Sequence, residues 1–348
     1  MSEALQLKCP NCGATVEFKA DRQKFVCDFC DSEFTEAEIG GANPQNRTDT
    51  AEPVNEFSEH TNLYICRSCG AEIVTDENTA ASFCHYCHNA VTLKGRVSGA
   101  LQPELIIPFK YNRDLAERAF LDWCSKKWFL PGDFKTKGQM EKMVGLYVPF
   151  WLADCRVDAS VVCDARNVSS HRSGDYRITH TRVYNVERSA KMEYRGVPAD
   201  GSKKLDDALM DAVEPFNYNE FVPFSMNYFS GFYADKYDVD KNEVFPRIRK
   251  RMEDGAKKAL MDDIRGYTSV SPTRSDLKVE QANWHYAMLP VWFMTYIHNG
   301  KKYFFAINGQ TGKLAGIPPL SGLKTALLAI ALFIIFGFIG GAFIGGAF

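Results

Sequence analysis

The chain has little excess charge of either sign: 41 Lys and Arg stand against 43 Asp and Glu, a net charge of −2 over 348 residues. Such a balance gives no global field to steer a polyanion, so a nucleic-acid contact would need a local basic face. Short catalytic motifs are absent as well. There is no G-x-x-x-x-G-K-[ST] loop to cradle phosphates, no G-x-S-x-G elbow and no H-E-x-x-H pair. The seven histidines are scattered, and none pairs with a nucleophile. Carboxylates cluster at Asp206-Asp207, Asp235-x-x-Asp238-x-Asp240 and Asp262-Asp263, but no glycine turn or distal Glu completes a calcium loop. They read as solvated surface. These absences point away from an enzyme. No basic-plus-apolar leader precedes MSEALQLKCP, which argues against export.

What the chain does have is cysteine in register. Cys9, Cys12, Cys27 and Cys30 form one set; Cys66, Cys69, Cys84 and Cys87 form a second, offset by 57 positions. Each set reads C-x2-C, fourteen residues, C-x2-C. Two thiolates three residues apart share one tight turn, and two such turns complete a tetrahedron around Zn²⁺. Gly13 and Gly70 follow the second cysteine of a pair, where the turn needs a positive φ. Disulfides would imply an exported chain, and a redox dithiol would need only one C-x-x-C. Two structural zinc ribbons, each holding one Zn²⁺ with no open position, are therefore expected. His85 and His88 flank the last knuckle and are alternative ligands only in principle. Cys124, Cys155 and Cys163 have no partner and read as small buried residues.

Residues 326–348 (ALLAIALFIIFGFIGGAFIGGAF) carry no charged or strongly polar side chain. As a helix this run would be about 34 Å long, against a hydrocarbon core of about 30 Å. It is expected to be a C-terminal transmembrane tail anchor. Lys313 and Lys324 precede it, and zinc-bound thiolates need a reducing compartment. Both place the bulk of the chain on the cytoplasmic face of the inner, or cell, membrane. Gly337, Gly341 and Gly345 recur every four residues, a stripe that would let a second helix approach and support a homo-oligomer. Glycine is also simply common in membrane helices.

The expected organisation is zinc ribbon 1 over 5–38, an acidic flexible linker over 39–62, zinc ribbon 2 over 63–94, a mixed α+β, strand-rich domain over 100–318, and the anchor over 326–348. Residues 1–96 hold 8 basic and 15 acidic side chains, whereas the remainder holds 33 basic and 28 acidic. The first ribbon, with 4 basic and 7 acidic residues over 5–38, should repel nucleic acid. The second is close to neutral. If the linker is a flexible coil, it gives the first ribbon a reach of about 25–30 Å.

In the central domain, helical periodicity marks Asn112–Trp128, a shorter helix Ser202–Val213, and a helix Phe245–Arg265 with Pro246 in its first turn. Strand-like runs cover Leu146–Val162, Tyr176–Tyr194, Ala287–His298 and Lys302–Ile307, and Asn308-Gly309 with Thr311-Gly312 marks a hairpin turn. Leu146-Tyr-Val-Pro149-Phe-Trp151 resembles Met288-Leu-Pro290-Val-Trp292, which suggests an internal duplication. The alternative is that Pro-x-Trp starts two strands of one aromatic core. The basic helix start (Arg247, Arg249, Lys250, Arg251) is either a solvated face or a contact for anionic headgroups.

Together with the ribbons, the segments Glu214-Pro215-Phe216, Phe229-Ser-Gly231-Phe232-Tyr233-Ala-Asp235-Lys-Tyr237, Leu289-Pro290-Val291-Trp292 and Asn308-Gly-Gln-Thr-Gly312-Lys carry a resemblance. The chain resembles the bacterial twin zinc-ribbon, tail-anchored membrane proteins of the YdjG type over nearly its whole length. Ribbons alone would also suggest TFIIB-type or primosomal helicase-like proteins, but no helicase motif is present. The resemblance implies a membrane-associated adaptor or scaffold for an SPFH (flotillin-like) or phage-shock-type protein in envelope stress. The competing reading is a membrane-tethered nucleic-acid-binding zinc-ribbon protein, which the charge of the ribbons disfavours.

Overall fold

The computed structural model describes residues 7–42, 61–66, 70–76, 84–86, 92–96, 102–140 and 142–345. It begins with β1 (Val16–Lys19), β2 (Lys24–Cys27), β3 (Glu33–Phe34) and α1 (Glu36–Ala42), then β4 (Thr61–Ile65), β5 (Glu72–Asp76) and β6 (Thr92–Arg96). Next come β7 (Leu105–Ile106), α2 (Arg113–Ser125), β8 (Val144–Ser173), β9 (Tyr176–Asp200), α3 (Asp207–Val213) and β10 (Val222–Pro223). The chain continues through β11 (Tyr233–Asp235), α4 (Lys241–Asp263), β12 (Ser269–His298), β13 (Lys301–Asn308), β14 (Leu314–Gly316) and α5 (Gly322–Gly345).

Strands β1–β3 form a small antiparallel sheet of their own, and eleven strands form the large one. Its backbone is the antiparallel pair β8–β12, in register from Val144↔Phe293 to Arg166↔Ser269. The first ten residues of β8 are buried without alternation, because this stretch is central in the sheet and covered on both faces. From Asp154 onward the burial alternates, so one face is packed and the other is wet. Strands β4–β6, from the region expected to form the second ribbon, extend this sheet at its edge: β5 pairs with β11 through Val74↔Ala234 and Ile73↔Asp235.

The suspected duplication is visible in the backbone. The order short strand, helix, long strand, return strand occurs as β7-α2-β8-β9 and again as β11-α4-β12-β13. Each short strand pairs in parallel with the long strand of the other unit, β7 with β12 and β11 with β8. The indole N–H of Trp151 donates to Val239 O at 2.9 Å, and that of Trp292 donates to Tyr111 O at 2.7 Å. Val239 and Tyr111 each stand just before a helix N-cap, Asp240 and Asn112. Gly201 N donates to Pro149 O and Gly309 N to Pro290 O, both at 2.8 Å. The two Pro-x-Trp segments thus do the same work in exchanged halves, each clamping the helix entry of the other unit.

Helix α4 lies over the sheet with Val244, Ile248, Met252, Ala256 and Leu260 buried along one stripe. Small buried strand residues oppose it: Ala153, Cys155, Ala159, Cys163 and Ala165. Cys163 Sγ lies 3.5 Å from Met261 Sδ, so this thiol serves packing. The helix starts at Lys241 rather than Phe245. Asp240 caps it by accepting from Asn242 N at 2.9 Å, and Glu243 returns the contact to Asp240 N at 3.4 Å. This capping box offers earlier nucleation than Pro246 does. The expected turn is present too: Asn308 Oδ1 accepts from Gln310 N and Thr311 N, both at 2.9 Å, and β13 returns into β14.

The C-terminal run does not form the expected anchor. Among the described residues, no helix is long and apolar enough to cross a membrane. Helix α5 starts ahead of Ala326, and its first turn is tied to the body: Ser321 N donates to Phe129 O at 2.7 Å and Lys324 Nζ to Leu130 O at 2.8 Å. The fold class is therefore a strand-rich architecture dominated by one large sheet, with a four-cysteine cluster at its N-terminal side. The transmembrane helix in the expected fold class is corrected, and so is the placement of the chain as a single-pass protein of the inner membrane. Gly337, Gly341 and Gly345 lie outside the residues with described side chains.

The exchanged clamps make a paired prediction. Trp151→Phe and Trp292→Phe each remove an indole donor from a partly buried carbonyl and shrink a packed ring. Each should cost about 2–3 kcal/mol in urea unfolding, and the two losses should agree to within about 1 kcal/mol if the halves are equivalent.

Candidate metal centre

The first cysteine set converges. The Sγ atoms of Cys9, Cys12, Cys27 and Cys30 all lie within 4.8 Å of one another. Cys9 Sγ stands 3.5 Å from Cys30 Sγ, and Cys12 Sγ stands 3.5 Å from Cys27 Sγ. These separations are far beyond a bonded disulfide and near the roughly 3.8 Å edge of a tetrahedron with metal–sulfur bonds of about 2.3 Å. The set could hold a metal ion. Four thiolates in tetrahedral array suit zinc or iron, and they leave no position open for substrate.

Each knuckle is shaped by its own backbone. Gly13 N donates to Cys9 O at 2.8 Å and Cys9 N to Ala14 O at 2.7 Å, with Gly13 at φ +76°. On the facing knuckle, Asp31 N donates to Cys27 O at 2.9 Å and Cys27 N to Ser32 O at 3.0 Å. Here Asp31 takes the left-handed position at φ 53° in place of glycine, which a short polar side chain tolerates. Cys30 and Cys12 shift in opposite directions. The Ser32 hydroxyl and backbone, with Cys12, pull Cys30 down to about 6. Cys12 receives a lowering contact from the Ala14 backbone, but desolvation and the thiols of Cys30, Cys27 and Cys9 push it up to about 12. A cation entering the cluster must displace the retained protons, which couples metal uptake to pH.

The ribbon does not hang free. Phe18 and Phe25 pack against Tyr228 with ring centroids 5.2 and 5.6 Å away. Gln23 Nε2 donates to Phe109 O at 2.6 Å, Ser230 Oγ to Val16 O at 3.2 Å, and Asn227 Nδ2 to Glu36 Oε1 at 2.9 Å. These contacts seat the knuckles on the large domain; residues 43–60 of the expected linker lie outside the described residues. Phe29, between Cys27 and Cys30, is 81% exposed. Sequence reasoning missed it; the signal was an aromatic residue inside a C-x2-C pair, where both neighbouring directions are occupied by ligands.

Of the second set, Cys66 and Cys84 are buried, and Cys69, Cys87 and His88 lie outside the described residues. The Cys66 turn repeats the Cys9 turn: Gly70 N donates to Cys66 O at 2.7 Å, Cys66 N donates to Ala71 O at 2.9 Å, and Gly70 sits at φ +72°. His85 is buried with Nε2 at 3.6 Å from Asp235 Oδ1. The Tyr86 hydroxyl donates to Asp235 Oδ2. Burial, then the Asp235 carboxylate, push the Tyr86 phenol up. Asp235, expected in a solvated loop, is instead a buried strand residue that ties the second knuckle region to the sheet.

The chain is 32% identical over 322 residues to the uncharacterized protein YdjG of Bacillus subtilis strain 168, and the alignment covers 92% of each protein. It belongs to the YdjG family. No family model matches the chain, and no solved structure matches it.

In this YdjG-family member Arg247 and Arg251 of the basic start of α4 turn toward acidic partners, whereas Arg249 and Lys250 are exposed. Arg247 pairs with Asp200 at 2.7 Å, with Asp207 at 2.8 Å and with Asp211, while Arg251 reaches Glu214 at 2.7 Å. Arg249 lies over the Phe245 ring at 4.9 Å. The paired guanidinium groups join α3 to α4, and their partners leave little charge for a headgroup. Burial pushes the Asp200 carboxyl up to about 6 despite Arg247, and its Oδ2 has no hydrogen-bond partner.

Two outcomes are expected for this YdjG-family chain. Changing Cys9 and Cys12 together to Ser should lower bound metal by one ion per chain in elemental analysis. A raised folded pKa at Asp200 means that its contribution is fully present below the ordinary 3.8 and is lost as pH rises through about 6. Relative to Asp200→Asn, wild type should therefore lose about 2–3 kcal/mol between pH 4 and pH 7 in urea melts.

Proposed function

We propose that this chain is a non-enzymatic zinc-ribbon adaptor that presents its first knuckle pair to a protein partner. The observation that carries the reading is Phe29: a large ring 81% exposed on a turn held rigidly between two metal ligands. Exposed aromatics on preorganised turns make strong anchors, because little freedom is lost on binding. The surrounding face is acidic, and much of its basic content is already engaged. Lys19 pairs with Glu17 and Asp28, while Arg22 and Lys24 share Glu33. A partner with an apolar pocket rimmed by Lys or Arg fits this surface. The family resemblance supports an SPFH or phage-shock-type protein as that partner class.

Zinc is the metal assigned to the Cys9, Cys12, Cys27 and Cys30 site. A second structural zinc is assigned to Cys66, Cys69, Cys84 and Cys87, supported by the repeated spacing and by the matching turns at Gly13 and Gly70. In both sites zinc supplies folding energy to a unit too small for a core of its own.

The test is biolayer interferometry of the zinc-loaded full chain against a purified SPFH-domain protein from the same organism. Phe29→Ala should retain its zinc and bind at least about tenfold more weakly, as loss of an aromatic anchor does. Wild-type binding that is indifferent to Phe29→Ala removes the knuckle from the interface, and absence of wild-type binding removes this partner class.

A further inference from the structure

The β8–β9 hairpin outruns everything that packs on it. Strand β12 accompanies β8 only as far as Arg166, opposite Ser269, and the buried positions of β8 end at Ala165. Thr268, just ahead of β12, still holds the base of the ribbon: its N–H donates to Arg166 O at 2.8 Å and its hydroxyl accepts from Val168 N at 3.1 Å. Beyond Val168 the two strands pair only with each other, as Ser169↔His180 through Ser173↔Tyr176. The result is a two-stranded ribbon whose outer part, about 15 Å long, is bare.

Its charge is of one sign. Residues 166–184 hold Arg166, Arg172, Arg177 and Arg182 against a single acid, Asp175. Nearer the body, arginines on the same strands are paired: Arg156 with Glu193 at 3.3 Å and Arg188 with Asp263 at 2.9 Å. Among the described residues, none of the four ribbon arginines reaches a carboxylate. Arg172 donates to Gly174 O at 3.2 Å and Arg177 to Ser170 Oγ at 3.3 Å. Arg172 also stands directly opposite Arg177 in the ladder, a placement in which like charges repel.

Strand alternation distributes the cations over both faces. Arg166, Arg172 and Arg177 share one face, and Arg182, opposite Asn167, lies on the other. On that second face the His171 and His180 rings stack at 5.5 Å. Tyr176, 78% exposed, stands at the tip. An acidic protein surface would present anions to one face only. A groove walled by phosphates presents them to both, and the B-form major groove, about 12 Å wide, admits a two-stranded ribbon. The geometry points to this hairpin as an arm that enters a groove of double-stranded nucleic acid, separate from the acidic first knuckle pair.

The test uses fluorescence anisotropy of a labelled mixed-sequence 24-base-pair DNA duplex with the zinc-loaded full chain. Up to four phosphate contacts predict a slope of log affinity on log salt of about −3.6, so binding should weaken about a hundredfold from 50 to 200 mM salt. The triple variant Arg172→Gln, Arg177→Gln, Arg182→Gln should bring the slope to about −0.9, with its unfolding midpoint unchanged. Arg156→Gln, on the packed part of the same strand, should bind like wild type. Absence of duplex binding at 50 mM salt overturns the proposal, as does equal binding by the triple variant. Capture of poly-L-glutamate or anionic vesicles in place of the duplex overturns it as well.

Discussion

The antiparallel ladder between β8 and β12 is the constraint on which the remaining architecture depends. It is the contact between the two repeated units, and every other strand of the large sheet is placed by reference to it. The short strands β7 and β11 are too brief to hold themselves in position. Each is fixed because it lies parallel to the long strand of the other unit, with a Trp indole closing the chain that follows. A register slip of one residue would turn every buried side chain of this pair to the wrong face. The exchange therefore makes the two units interdependent: neither half-sheet is complete without the strand supplied by the other.

The two cysteine regions stand on this platform at two different depths. The first pair is seated through aromatic contacts and a few hydrogen bonds, leaving Phe29 and its acidic surroundings exposed. The strands of the second region are built into the sheet itself through β5 and β11, and Asp235 reaches across to His85 and Tyr86. Similar spacing thus yields one displayed module and one set of edge strands. The difference lies in what the flanking residues pair with, not in the cysteines.

Local chemistry was readable before the fold. The C-x2-C turns, the Asn308-Gly309 hairpin, the helix after Asn112 and the strand character of the Pro-x-Trp segments all follow from residues close together in the chain. The first cysteine cluster was legible because each pair is a local turn and its partner pair follows at a short fixed spacing. Helix starts were less legible: Pro246 suggested a later start to α4, but Asp240 and Glu243 had already satisfied the first turn. The basic run Arg247 to Arg251 looked like a surface feature, since nothing in its own segment shows that Asp200, Asp211 and Glu214 approach it from other elements.

By itself the sequence determined the thiolate sets, the near-neutral charge, the absence of recognised catalytic motifs and the pair of Pro-x-Trp segments. These depend on residue type and short spacing, which folding does not alter. Only the tertiary structure decided that the repeats exchange strands, that the second knuckle region extends a sheet, and that Arg247 and Arg251 of α4 are paired internally. It alone left the ribbon arginines of the β8–β9 hairpin unpaired. Each of these depends on which distant segments meet, and backbone pairing with burial, not local propensity, selects among those meetings.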